Sequence, residues 1–187
     1  SDSLQLKLSN VSNETIIYGE AYTMEAFWDD SWEKLPVLPE DYSFIEANAS
    51  NLKKYIEKVC LMAIEKGYSS DDIQLLAPMY KGENGIDNLN KLLQSIFNPD
   101  RGQNSIVSKD VIYRENDKIL QLENDPDNNV FNGDIGYIMD ITGSTITVDF
   151  DGNIVKYTPK DFIKIKHGYA ISIHKAQGSE FKLVILP

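Results

Sequence analysis

The chain predicts an α/β fold, a partial parallel sheet domain interrupted by a small antiparallel β-barrel, and three observations predict it. Strand-like and helix-like segments alternate between residues 42 and 99. From about residue 110 the apolar period shortens to two, and short runs are separated by turn residues. Residues 167–187 then return to two apolar runs around a polar cluster. Alternating strand and helix is the pattern of a parallel layer, whereas closely spaced short strands with turns between them give an antiparallel meander or barrel.

Residues 1–41 form an unassigned N-terminal segment. "LQLKL" and "ETIIYGEAY" read as short strands, and "FWDDSWEKLPVLPE" as an aromatic, acidic connector punctuated by Pro36 and Pro39. The first part of the α/β domain spans 42–109. "YSFIEA" is a short strand. Leu52, Tyr55, Ile56, Val59, Cys60 and Ala63 then recur at helical spacing as one apolar stripe, ended by Gly67. "DIQLLAP" is a buried strand closed by Pro78. Ile86, Leu89, Leu93, Ile96 and Phe97 give a second helical stripe that stops before Pro99.

A polar loop around "PDRGQNS" leads into the barrel, 110–166. Its strands are "DKILQLEN", "DIGYIMDI", "STITVDF" and "NIVKYTP". Asp151-Gly152 is a strong two-residue hairpin signal and Gly143-Ser144 a weaker one. In "FNGDIG", Asn132, Gly133 and Asp134 read as a barrel turn held by an Asx hydrogen bond. Residues 167–187 are the return segment: "YAISI" as a strand, "HKAQGSE" as a turn into a short helix, and "KLVILP" as a last buried strand.

The single cysteine, Cys60, excludes an internal disulfide and sits at a core position of the first helix. No apolar run reaches the length of a membrane span and the first thirty residues hold no signal-peptide pattern, so a cytoplasmic chain with no membrane partner is expected. The net charge of −11 opposes nucleic-acid binding by the whole surface. Its distribution is uneven. From Asn153 onward six lysines face Asp161 and Glu180, a net of +4, which leaves −15 for the rest. Lys156, Lys160, Lys164, Lys166 and Lys175 make the C-terminal fifth the one surface suited to a polyanion, although on charge alone lysines that merely solvate strand faces are the favoured reading.

Three chemistries compete for "SIHKAQGSEF". A hydrolase would need Ser172 or Ser179 activated by His174, but Ser179 lacks the G-x-S-x-G setting of a nucleophile elbow. A metal site fails because His167 and His174 are the only histidines and no Cys, Asp or Glu lies at ligand spacing, so no metal ligands are assigned. Phosphate handling at a strand-to-helix turn remains. Gly178 would let the backbone approach an anion beside Ser179, Glu180 could accept from ribose hydroxyls, and Ser172, His174 and Lys175 could touch a second polyanion. An ordinary capped turn satisfied by Ser179 or Gln177 is the competing structural reading.

"YAISIHKAQGSEF" resembles motif V of superfamily 1 DNA helicases of the RecD-like branch. "LLAPMYKGENGIDNLNKLLQSIFNP" resembles the motif IV region, and "ENDKILQLEND" followed by "VFNGDIGYI" resembles the start of the SH3-like barrel these helicases carry. The resemblance covers residues 42–187. It implies a RecA-like second motor domain (2A) interrupted by an SH3-like barrel (2B). ATP with Mg²⁺ would bind between two motor domains of the full-length protein, and single-stranded DNA would cross both. On the matching positions, Gly178 and Ser179 would lie by the γ-phosphate, Glu180 by the nucleotide sugar, and Gln177 between the two sites. Ser172, His174 and Lys175 would face the DNA backbone, with Pro78, Met79 and Tyr80 near its channel. Lys81 stands where relatives carry arginine; it keeps the charge but loses the planar fork for phosphate.

No G-x-x-x-x-G-K-[ST] loop and no acidic Walker B strand occurs, and motif VI, expected after motif V, is absent. The sequence therefore reads as a helicase fragment with part of an ATP site and part of a DNA channel, inactive alone and with no cofactor of its own. Its partners would be single-stranded DNA and a missing N-terminal motor domain. The resemblance further implies 5′ to 3′ translocation and a role in DNA repair or recombination. Two other readings stay open: a stand-alone single-strand-binding or regulatory module, and a protein-interaction domain built on the barrel.

Overall fold

A computed structural model of the chain describes residues 5–6, 25–28, 31–34, 47–176 and 179–187. The chain divides into two compact units, Ser1–Asn51 and Leu52–Pro187. In the first, β1 (Gln5–Leu6), β2 (Glu25–Trp28) and β3 (Ser31–Lys34) form an antiparallel sheet in that order, with Phe27 opposite Trp32. The strand in "LQLKL" is present. The connector reading of "FWDDSWEKLPVLPE" is corrected over its first half, where two strands pair; aromatic residues favour a pleated ladder. "ETIIYGEAY", and "YSFIEA" apart from Ala47, lie outside the described residues.

The second unit opens with the α/β layer. Helix α1 (Leu52–Glu65) buries Ile56, Cys60 and Ala63. It ends as predicted at Gly67, whose φ of +87° lets the amides of Gly67 and Tyr68 turn back to the carbonyls of Ile64 and Ala63. Burial pushes the Cys60 thiol up to about 12, consistent with an inert core residue. Strand β4 (Ile73–Leu76) follows, then α2 (Ile86–Phe97), which buries Ile86, Leu89, Asn90, Leu93 and Gln94.

A separate two-stranded sheet precedes the main antiparallel sheet. β5 (Ser105–Ser108) and β6 (Val111–Arg114) form a hairpin across residues 109 and 110, with Lys109 at φ +54°. Next come β7 (Lys118–Gln121), a 3₁₀ turn (Pro126–Asn128), β8 (Ile135–Thr142), β9 (Thr145–Phe150), β10 (Asn153–Tyr157), a 3₁₀ turn (Pro159–Lys164) and β11 (Ile165–His167). The main sheet is antiparallel in the order β10-β9-β8-β7-β11. The β9–β10 turn has Asp151 and Gly152 both at positive φ, the geometry the Asp-Gly pair predicts. At Gly136 a Cβ would fall 2.5 Å from the Asp149 carbonyl and 2.7 Å from the Phe150 ring, so only glycine lets β8 and β9 close there. Ile119, Val130, Ile138, Ile146, Val148, Val155 and Tyr157 fill the core, joined by Tyr113 of the hairpin.

After β11 the chain returns to the layer as β12 (Ala170–Ile171), a 3₁₀ turn (Ile173–Ala176) and β13 (Leu183–Ile185). β12 and β13 flank β4 and both run parallel to it. Asn90 of α2 closes the outer edge of β12: its amide donates to the Ala170 carbonyl (2.8 Å) and its oxygen accepts from the Ala170 amide (2.9 Å). The observed fold is the predicted class, a partial parallel α/β layer interrupted by a small SH3-like antiparallel barrel.

Two adjacent buried charges on the barrel join it to the layer. Asp117 is fully buried. One carboxylate oxygen accepts from Asn98 Nδ2 (2.7 Å) and Tyr169 Oη (3.1 Å). The other accepts from Gln94 Nε2 and the Arg114 amide, both 2.7 Å, and lies 3.0 Å from His167 Nε2. Gln94 spends its second amide hydrogen on the Ile112 carbonyl (2.8 Å), so the hydrogen between His167 and Asp117 belongs to the histidine. Burial alone would raise the Asp117 pKa, but the hydrogen bond and charge of His167, with Asn98 and Arg114, hold it below the usual value. Lys118 reaches the other side of the sheet. Its ammonium donates to the carbonyls of Ser70 (2.8 Å) and Ile73 (3.2 Å) and lies 5.4 Å from the centre of the Phe181 ring.

Candidate nucleic-acid interface

Parallel strands deliver their carboxyl ends to one edge, where open α/β sheets bind ligands. Ile171 of β12 is level with Leu76 of β4, and the Ala77 amide donates to the Ile171 carbonyl at 3.0 Å. The residues that follow each strand therefore emerge together. Pro78, Met79 and Tyr80 are exposed there, and Tyr80 Oη donates to Ser172 Oγ at 3.3 Å across 92 residues of sequence. Four of the six predicted DNA-facing residues thus share one edge.

The loop after Tyr80 is pinned to α2. The amides of Ile86 and Asp87, in the helix's first turn, donate to the carbonyls of Met79 (2.9 Å) and Tyr80 (3.3 Å). Gly85 makes this approach possible, since a Cβ there would lie 2.6 Å from the Tyr80 carbonyl oxygen. These helix amides are already engaged and are not an anion site. Lys81 is exposed in the same loop.

His174 and Lys175 stand on the 3₁₀ turn after β12, His174 exposed and Lys175 half-buried. Lys175 Nζ donates to Asn132 Oδ1, so the basic turn touches the barrel. The barrel loop is built as the sequence suggests: the Asp134 carboxylate accepts from the Phe131 amide (2.7 Å), and Gly133 has φ +105°. Ser179 and Glu180 are exposed, with the Ser179 amide donating to the Ala176 carbonyl (3.1 Å). Gln177 and Gly178 lie outside the described residues.

Sequence reading missed Lys166 of β11 as a site residue. Its ammonium pairs with Asp87 Oδ1 at 2.7 Å and lies 5.1 Å from the centre of the Tyr80 ring. The only sequence signal was its membership in the C-terminal lysine cluster. The joint formed by Asp117, Lys118, Gln94 and His167 was missed as well. Among the described residues, no group of three His, Cys, Asp or Glu side chains could hold a metal ion, and no helix is long and apolar enough to cross a membrane.

The barrel supplies the class. Residues 89–150 match the family described as the ATP-dependent RecD-like DNA helicase SH3 domain. The chain is similar, over this stretch and beyond it, to two curated RecD proteins. It is 41% identical over 128 residues to the ATP-dependent RecD2 DNA helicase of Deinococcus radiodurans, covering 68% of this chain and 18% of that protein. It is 30% identical over 146 residues to the RecBCD enzyme subunit RecD of Buchnera aphidicola, covering 72% of this chain and 23% of that protein. The chain thus spans about a fifth of the length of these relatives. Among solved structures, unliganded Pif1 from Bacteroides sp has a TM-score of 0.42 at 18% identity, over 65% of this chain and 48% of that one. A structure of two coordinating Pif1 helicases at forked double-stranded DNA has a TM-score of 0.45 at 15% identity, over 74% and 38%.

Proposed function

We propose that residues 42–187 are part of the second, RecA-like motor domain of an ATP-dependent DNA helicase, with the barrel as its inserted 2B element. The division at 42–109, 110–166 and 167–187 belongs to this proposal. The packing of Tyr113, Ile106 and Val111 into the barrel core favours counting the insert from Ser105. In this reading the chain contributes part of a nucleotide site and part of a single-strand channel, and is inactive without the other motor domain. Translocation 5′ to 3′, a cytoplasmic location and a role in repair or recombination are further parts of it.

The observation that carries the reading is the meeting of Tyr80 and Ser172 at the carboxyl edge of β4 and β12, beside the basic turn anchored to the barrel. A strand laid there would find an aromatic ring for a base, hydroxyl donors, and the Lys175 ammonium and the His174 imidazole for phosphates. Ser179, Glu180 and Lys81, with Gly178 and Gln177, would hold ATP. A hydroxyl, a carboxylate and an ammonium suit the sugar and terminal phosphate; they do not supply a magnesium site, which would fall to the other motor domain. ATP supplies the phosphoanhydride whose hydrolysis opens and closes such motors. This chain orients the nucleotide and grips DNA, and the Lys175–Asn132 contact ties the grip to the barrel.

Fluorescence anisotropy of a labelled oligothymidylate tests the DNA half. The chain should bind with an affinity that falls steeply with salt, and His174→Ala and Lys175→Ala should each weaken binding about three- to tenfold at low salt. Absence of salt-dependent binding contradicts it. Magnesium-dependent ATP hydrolysis by the chain alone, abolished by Glu180→Ala, contradicts the inactive-alone half.

A further inference from the structure

Lys166 occupies the middle of β11, opposite Leu120 of β7. Its neighbours Ile165 and His167 are buried in the unit, and His167 is tied to Asp117, so the pleat turns the Lys166 side chain the other way. There it crosses from the barrel to the layer and meets Asp87 in the first turn of α2 and the ring of Tyr80. Three elements far apart in sequence thus present an ammonium, a carboxylate and an aromatic face at the edge where Ser172 bonds to the Tyr80 hydroxyl. The pair remains wet: the Lys166 side chain is 31% exposed, that of Asp87 49%, and Tyr80 46%.

We propose that Lys166 is a phosphate-binding residue of the single-strand interface and that Asp87 is its resident counter-ion, exchanged for a phosphodiester when the strand binds. The proposal rests on the DNA reading above and adds two residues to it. A base stacking on Tyr80 would carry its phosphate toward the ammonium that already lies over the ring. The Lys166–Asp87 pair is cheap to open because exposed ion pairs contribute little. Released Asp87 is not stranded, since a carboxylate in the first turn of a helix remains favoured by the helix dipole. Before the strand arrives, Asp87 occupies the anion position and holds Lys166 extended over Tyr80, which limits the rotamer freedom lost on binding.

The test is anisotropy of a labelled oligothymidylate over a salt series, with Lys166→Ala, Lys166→Arg, Asp87→Asn, the Lys166→Ala/Asp87→Asn double variant, and His174→Ala/Lys175→Ala as reference. Lys166→Ala should weaken binding about three- to tenfold at low salt and reduce the salt slope by about one. Lys166→Arg should keep the slope. Asp87→Asn should tighten binding about two- to fivefold, and that gain should vanish when Lys166 is already alanine. If the His174/Lys175 variant weakens binding while Lys166→Ala changes neither Kd nor slope, the proposal is overturned and the DNA reading stands. Weaker binding by a folded Asp87→Asn overturns the exchange. If the unaltered chain does not bind the oligonucleotide at all, the DNA reading falls and the proposal with it. Lys166→Arg keeps the test decisive should the alanine variant fail to fold, because loss of slope in the folded arginine variant also counts against it.

Discussion

The barrel and the α/β layer are built from opposite kinds of sequence. The strands β7 to β10 lie within 40 consecutive residues, β8, β9 and β10 being joined by two-residue turns, and they close around a core that Tyr113, Phe162 and Ile165 complete from either side in sequence. The layer assembles β4 from 73–76, β12 from 170–171 and β13 from 183–185. Its sheet exists only once the chain has passed through the barrel and come back. Its surface still shows Leu61, Met62, Val184 and Leu186, all more than 40% exposed. Local pairing carries a small entropy of closure, and non-local pairing must wait for its ends to be brought together. The barrel is therefore the self-sufficient region, and the layer depends on the joint that Asp117 and Lys118 make with it.

The largest expected effect comes from breaking that joint. Asp117→Ala leaves the donors from Gln94, Asn98, Tyr169, His167 and Arg114 without their shared acceptor, and should cost about 3–5 kcal/mol in urea unfolding. Next come paired core truncations, each costing about 2–5 kcal/mol. Ile146→Ala in the barrel should reduce hydrogen-exchange protection in both regions, whereas Leu89→Ala in α2 should reduce it only in the layer. Asn90→Ala removes both bonds to the edge of β12 and should cost about 1–3 kcal/mol, read by the same unfolding experiment.

The smallest effect sharpens the Lys118 side of the joint. Burial lowers the Lys118 pKa from 10.5 to about 8, with Asp71 and Asp72 opposing the shift. Above about pH 8 the folded state has shed a proton that the unfolded chain still binds, so this group makes stability rise with pH until about 10.5. Between about pH 8 and 9.5 the unaltered chain should gain on the order of 1–2 kcal/mol relative to Lys118→Met. Parallel pH profiles for the two proteins would contradict the assignment.

The same contrast explains what the sequence made legible. The barrel strands and both helices follow from apolar period and from turn residues such as Asp151-Gly152, because those signals are local. The β5–β6 hairpin was hidden because Lys109-Asp110 is not a standard turn pair, although Lys109 adopts φ +54°. β11 was hidden because "IKIKH" reads as a lysine-rich stretch, and its partner β7 lies more than 40 residues earlier. At the candidate interface, Pro78, Met79, Tyr80, Ser172, His174 and Lys175 were legible as strings of residue types. That Tyr80 touches Ser172, or that Lys166 reaches Asp87 across 79 residues, depends on parallel register and on barrel docking, which no local pattern encodes. The joint was illegible for the same reason: Asp117 and His167 are 50 residues apart.

Native-state hydrogen exchange on the unaltered chain and on Asp117→Ala tests the dependence of the layer on the barrel most directly. The prediction is that Asp117→Ala keeps protection in β8, β9 and β10 while α2 and β12 exchange much faster. Equal loss of protection in both regions, or unchanged protection in α2 and β12, would contradict a self-sufficient barrel holding the layer through its buried joint.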